Sequence, residues 1–414
     1  MKSYARLKYA CYMTNVSQAL VCNLSPLLFI TFRTMYGISY SLLGLLVLIG
    51  FFTQLLIDLV FSFFSHKFNI PLAVKLTPVL TAVGLFVYAC FPFVFSDHVY
   101  LGLVIGTLIF SASGGLAEVL ISPTIAAIPS ENPEREMSKL HSIYAWGVVF
   151  VIISATLLLL WWGNIHWQWI ALLFTLVPLF ACLLFAGVEI PHMDTPEKTS
   201  GALSLLKNSG LWLCFFAIFL GGAAECTMAQ WCSGYLEQAI GLPKVWGDVF
   251  GAALFGLTLG LGRTLYSKIG KNIARVLFFG AIGATLCYLL AALSPWPILG
   301  LAACAFTGFC VSMLWPGSLI VGSDRFPQGG VFIFAMMAAG GDMGASVGPQ
   351  LVGLVTDAIA SSAWGSTLAA QMALAPDQLG MKAGMLLGAI FPLIAIFVYA
   401  VIWRARRKTV NNEA

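Results

Sequence analysis

Twelve stretches of this chain are apolar over about the 20 residues that a helix needs to cross a bilayer. They run over 7–32, 39–64, 71–95, 99–128, 140–163, 167–188, 210–237, 245–267, 275–293, 297–321, 330–358 and 381–403. Nothing else constrains the fold as strongly, because a backbone in lipid must satisfy its own hydrogen bonds, and single apolar segments of this length do so as helices. The expected fold class is an all-α membrane protein with 12 transmembrane helices. Charged residues are 9% of the 414 and hydrophobic ones 60%, against about 25% charged in a soluble domain. Forty glycines suit close helix approach in lipid. The formal charge of +4 is small and dispersed, so the expected surroundings are a lipid bilayer and not nucleic acid. All ten cysteines fall inside apolar spans with no CxxC pair and read as small hydrophobes, with neither disulfide nor metal expected. Lys2, Arg6 and Lys8 precede the first span as in a signal peptide, but no small-residue cleavage site comes before a span of full length, so a retained helix is expected.

The stretch from Glu189 to Asn208, rich in charge, Pro and Ser, divides the spans six and six. The expected domains are an N-terminal half at 1–188, a linker at 189–209 and a C-terminal half at 210–414. With the N-terminus inside, 18 of the 21 Lys and Arg residues fall on the cytoplasmic side, leaving Arg33, Lys244 and Lys382 outside. Both termini are therefore expected in the cytoplasm, beneath a plasma or inner membrane. The halves look related. The Gly115-to-Pro123 interval of eight residues returns 193 positions later as Gly308 to Pro316, with Val311 standing where Glu118 stood. The basic turns His66-Lys67-Phe68-Asn69 and Ser267-Lys268-Ile269-Gly270-Lys271 occupy corresponding places. Two six-helix halves in parallel repeat suit a secondary transporter with its solute site between them near mid-membrane.

Four motifs carry a resemblance to a known family: Gly-x-x-Glu-x-x-x-Ser-Pro over Gly115 to Pro123, Leu140-His141-Ser142-x-Tyr144-x-Trp146-Gly147, Glu225 with Trp231 and Tyr235-Leu236, and Gly341-Asp342-x-Gly344-x-Ser346-x-Gly348-Pro349. Over its full length the chain resembles the major facilitator superfamily, and in these motifs the fucose permease branch of sugar and proton symporters. The superfamily signature after helix 2 is degenerate, with His66 in place of its acid and Asn69 in place of a glycine. The resemblance implies alternating access and a proton-coupling role for Glu118, onto which the family's helix 4 acid maps. The branch's helix 1 acid, shortly before a proline, has no counterpart: Pro26 would place it at Cys22 or Asn23. Glu225 or Asp342 is left as the second titrating group.

The residues themselves support candidates of three kinds. An acid at mid-bilayer costs roughly 2.5 to 3.5 kcal/mol on insertion scales, which makes Glu118, Glu225 and Asp342 functional candidates for proton coupling. A structural acid paired with Arg or Lys is the alternative, yet no Arg or Lys is assigned to the middle of any span. Asn15, Gln18, Asn23, Tyr144, Trp146, Gln230, Trp231, Tyr235 and Trp315 combine amides, phenols and indoles, a mixture that suits sugar hydroxyls and C–H faces. An interfacial aromatic belt or ordinary packing is the alternative for the aromatic members. Asp58, Lys67, His141, Arg263 and Lys268, toward the cytoplasmic side, read as gate or motif residues and not as solute contacts.

The leading functional expectation is proton-coupled import of a sugar or similar small polar solute by a monomer, with no cofactor. The alternative is a drug or metabolite exporter, a proton antiporter of the same superfamily. Such antiporters carry Gly-Pro in helix 5, whereas 148–160 has neither residue and Gly344-x-x-x-Gly348-Pro349 lies in helix 11. An enzyme is not expected, since there is no GxxxxGK or HExxH signature.

Overall fold

The computed structural model describes residues 4–64, 67–129, 133–191, 206–269, 272–326 and 330–413. Among them every regular element is helical. In chain order the helices are α1 (Ala5–Leu27), α2 (Phe29–Tyr36), α3 (Tyr40–Phe64), α4 (Ile70–Val94), α5 (Val99–Ala126), α6 (Pro133–Trp162), α7 (Trp167–Phe174), α8 (Leu176–Phe185), α9 (Ser209–Gln238), α10 (Lys244–Trp246), α11 (Leu254–Ile269), α12 (Ile273–Leu293), α13 (Pro297–Val311), α14 (Leu314–Arg325), α15 (Gly330–Ala360), α16 (Ala363–Gln371), α17 (Pro376–Gly388) and α18 (Ile390–Glu413). Nine segments of described residues are long and apolar enough to cross a membrane, or ten when α1 and α2, bent by 45°, count as one. The two other expected spans coincide with α6 and α15.

Several spans are interrupted, and the interruptions have local causes. Pro26 sits at the end of α1, where its ring disfavours continuation of a straight helix. Between α10 and α11 the seven residues Gly247–Ala253 form a π-helix, a geometry frequent at functional sites. The second copy of the repeat is broken where the first is continuous: α5 runs unbroken to Ala126, whereas α13 stops at Val311 and α14 restarts at Leu314. The two short basic turns share an ending. Asn69 accepts from the Leu72 amide at 3.1 Å and Asn272 from the Arg275 amide at 3.1 Å. Each supplies the oxygen that an exposed helix N-terminus lacks.

The chain forms two compact units, one of Met1–Ile38 with Ile49–Thr199 and the other of Ser39–Leu48 with Ser200–Ala414. In the first, Leu7, Cys11, Phe61, Val74, Leu116, Ile121, Leu140 and Phe185 build an apolar core. Its helices α4 and α5 meet through glycine: a Cβ on Gly106 would lie 2.6 Å from the Tyr88 Cβ, and one on Gly84 2.6 Å from the Phe110 amide nitrogen. Only absent side chains allow backbones that close. In the second unit α9 is central. The hydroxyls of Tyr399, Tyr288 and Tyr235 are hydrogen-bonded to carbonyls: Tyr399 to Ala217 at 3.0 Å, Tyr288 to Ala224 at 2.7 Å, and Tyr235 itself, on α9, to Ala291 at 2.6 Å. The start of α3, through Leu48, belongs to this unit, and both Asp357 carboxylate oxygens accept from its first turn, from Tyr40 N at 3.1 Å and Ser41 N at 2.6 Å. Leu160, Trp161 and Phe397 stand exposed, the apolar exterior that suits lipid.

Candidate functional site

In the first unit, Ser113 to Leu120 is small and apolar apart from its charge, and that smallness decides what reaches Glu118. A Cβ on Gly115 would lie 2.8 Å from the Ile57 Cβ and 3.1 Å from the Asp58 Oδ1, so the glycine lets α3 bring Asp58 onto α5. A carboxylate oxygen of Asp58 lies within 4.8 Å of one of Glu118. Asp58 is buried at 3% exposure while Glu118 is exposed. Two like charges at that separation repel strongly where the dielectric is low, and a single proton on the pair removes the repulsion. Asp58, expected to support a gate, is therefore placed beside the principal acid.

The amides of α1 divide. Asn15 donates from Nδ2 to the Leu140 carbonyl at 3.1 Å and joins α1 to α6, and Asn23 donates to Ala19 of its own helix at 2.8 Å. Gln18 is half-buried and makes no hydrogen bond among the described residues, which leaves its amide the most available of the three. On α6, Tyr144 is half-buried and Trp146 exposed, next to Gly147, which packs on Ala19 and Val16. The side chain of His141 lies outside the described residues, as do His66 and the side chains of Ser122 and Pro123.

In the second unit, Glu225 has a cation. Arg263 donates from Nη2 to Glu225 Oε1 at 2.9 Å, which corrects the expectation that no Arg or Lys reaches mid-span. The same guanidinium donates from Nε to the Ser312 carbonyl at 3.1 Å. Pro316 explains why that carbonyl is open: four residues on, it has no N–H to give it. Glu225 Oε2 is buried without a hydrogen bond among the described residues. The Trp315 ring lies where a Cβ on Gly222 or Gly341 would be, with ring atoms 3.0 Å and 2.5 Å away. Gly222 and Glu225, three apart, share a face of α9. Glu225, Arg263, Ser312 and Trp315 thus form one patch of acid, guanidinium, carbonyl and indole.

Trp231 and Tyr235 are 1% exposed, with Trp231 Nε1 donating to the Pro349 carbonyl at 2.9 Å; both are packed into the unit's interior, with their polar atoms already satisfied. Gln230 and Asp342 are buried. Lys67 lies over the Phe64 ring at 5.2 Å, and Lys268 is exposed. Sequence reasoning missed Asp248, which is fully buried in the π-helical turn beside the Ser233 hydroxyl and paired with Lys244 at 3.2 Å. The spacing Lys244-x-x-x-Asp248, one helical turn, was the available signal.

A sequence model of the Major Facilitator Superfamily matches residues 11–349. No curated protein matches the sequence. Among solved structures the chain is similar to a D-xylose-proton symporter (TM-score 0.69, 15% identity, covering 94% of this chain and 97% of that one). It is also similar to the nucleoside transporter NupG (0.70, 14%, 96% and 98%). A variant of the E. coli fucose:proton symporter FucP is a third (0.58, 16%, 95% and 99%). At these identities the likeness is one of fold. With the family match covering most of the sequence, the chain belongs to the Major Facilitator Superfamily and is a multi-pass membrane transporter.

Proposed function

We propose that this transporter imports a small polar solute, with sugars the favoured class, together with protons, by alternating access across a plasma or inner membrane with both termini in the cytoplasm. The observation that carries the reading is the carboxylate pair in the first unit, Glu118 with Asp58 within 4.8 Å. A carrier that turns over through a closed, dry intermediate cannot cheaply move two bare like charges side by side, and a pair of acids that takes up one proton from one side and releases it to the other makes the passage with a single shared negative charge in place of two. Exposure of Glu118 gives the proton a route, and burial of Asp58 keeps the second charge from escaping into water. Sugar-proton symporters among the similar folds support the solute class. In the first unit, Gln18 is the amide left to meet it.

The test is uptake into liposomes holding the purified protein. Glu118→Gln is expected to abolish accumulation driven by an inward proton gradient while leaving solute exchange at zero gradient within about twofold. Asp58→Asn should weaken accumulation in the same sense. Gradient-driven accumulation that survives both substitutions would remove the pair from the mechanism.

A further inference from the structure

The Glu225–Arg263 pair has a geometry that a purely structural ion pair does not need. Arg263 is held at its root by the Ser312 carbonyl, yet its side chain is 40% exposed, whereas Glu225 is 13% exposed. The contact uses one nitrogen and one oxygen: Nη2 meets Oε1, and Oε2 makes no hydrogen bond among the described residues. A guanidinium offers two parallel donors and a carboxylate two acceptors, so a single-pronged pair leaves half of the fork unused. Beside it, on the same face of α9, stands the Trp315 ring against Gly222. An open guanidinium edge next to an indole fits a carboxylate joined to a hydroxylated carbon frame, because the cation takes the carboxylate two-pronged and the ring takes C–H groups.

We infer that the solute of this transporter is a sugar acid, bound through its carboxylate by Arg263, and that Glu225 occupies Arg263 only until the solute arrives. This rests on the transport reading above and names the solute class within it. When the solute carboxylate takes the guanidinium, Glu225 loses its counter-charge and accepts one proton from water. One anion and one proton have then entered the site, and its net charge is unchanged. Arg263 is the charge that acts on Glu225. Other titratable groups reach α9 along its length: Tyr288 at Ala224, next to Glu225, and farther off Tyr399 at Ala217, Asp248 with Lys244 at Ser233, and Cys304 of α13 beside Cys232. Asp342 of α15 follows Gly341, which meets Gly222, and Lys382 lies on α17, which also packs on α9.

The experiment measures binding and liposome uptake of D-glucuronate and D-galacturonate against D-glucose and D-galactose. The uronates are expected to bind and accumulate, and the neutral sugars to do neither. Because the solute displaces a charged Glu225, wild-type affinity for the uronate should fall with rising pH, by up to about tenfold per unit where Glu225 titrates. Glu225→Gln should remove that dependence and keep the tight affinity, and Arg263→Lys should weaken binding at least tenfold with the unfolding temperature of the unliganded protein unchanged. Accumulation of neutral sugars with uronates ignored would overturn the inference and leave the transport reading standing, as would a pH dependence that persists in Glu225→Gln. Uronate binding that needs Arg263 without any gradient-driven accumulation would instead overturn proton-coupled transport while the site survives. An Arg263→Lys protein too unstable to measure leaves the pH comparison of wild type with Glu225→Gln to decide.

Discussion

At the scale of single residues, the sequence made the acids visible but not their partners. Glu118 stands out because nothing near it in its span is charged. That Asp58 lies beside it depends on the register of α3 against α5, which the contact of Gly115 with Ile57 fixes across 58 positions of chain. No periodicity within either helix encodes that register. Trp231 shows the converse: its mixture of ring and N–H suits a solute, but the N–H is taken by the Pro349 carbonyl. Trp231→Phe removes this buried bond and part of the ring, and should cost about 1–3 kcal/mol of stability. The expected result is a lower unfolding midpoint with KM unchanged; a raised KM at unchanged midpoint would return Trp231 to the solute site.

Among elements, the apolar runs were legible as helices because length and hydropathy suffice for that. The breaks were less so, since a proline inside a membrane helix can bend it, stop it or leave it straight according to what its neighbours donate. Pro316 interrupts its helix pair near a carbonyl that Arg263 then claims, whereas α5 passes Pro123 without interruption. The Pro316→Ala variant restores an N–H that competes for the Ser312 carbonyl, and it removes a residue that is costly in helices by about 3 kcal/mol at most. The protein should become at least as stable, by thermal unfolding, yet take up solute several-fold more slowly as Arg263 loses its anchor. A faster carrier would mean that the open carbonyl does not hold the guanidinium for work.

Across the whole molecule, the linker composition and the repeat point to two six-helix halves, with 192–205 of the linker outside the described residues, and the family match bears out the transporter fold. The share of α3 that belongs to the second unit, Ser39–Leu48, was not legible. It depends on Asp357 accepting from two amides more than 300 positions earlier, and Asp357 is one acid among the 17 Asp and Glu residues of the sequence.

The two ion pairs of the second unit also differ in when a growing chain can form them. Lys244 and Asp248 are one turn apart and leave the ribosome almost together, so that span can enter the bilayer already neutral. Glu225 must wait for Arg263, 38 residues later. Until then α9 carries an unpaired acid whose exposure to lipid costs roughly 2.5 to 3.5 kcal/mol. Chains truncated after Gln238 should therefore be extracted from membranes by alkaline carbonate more readily than chains ending after Ile269, and Glu225→Gln should erase the difference. The pair would then act first in biosynthesis, committing α9 and α11 to enter the membrane as a hairpin.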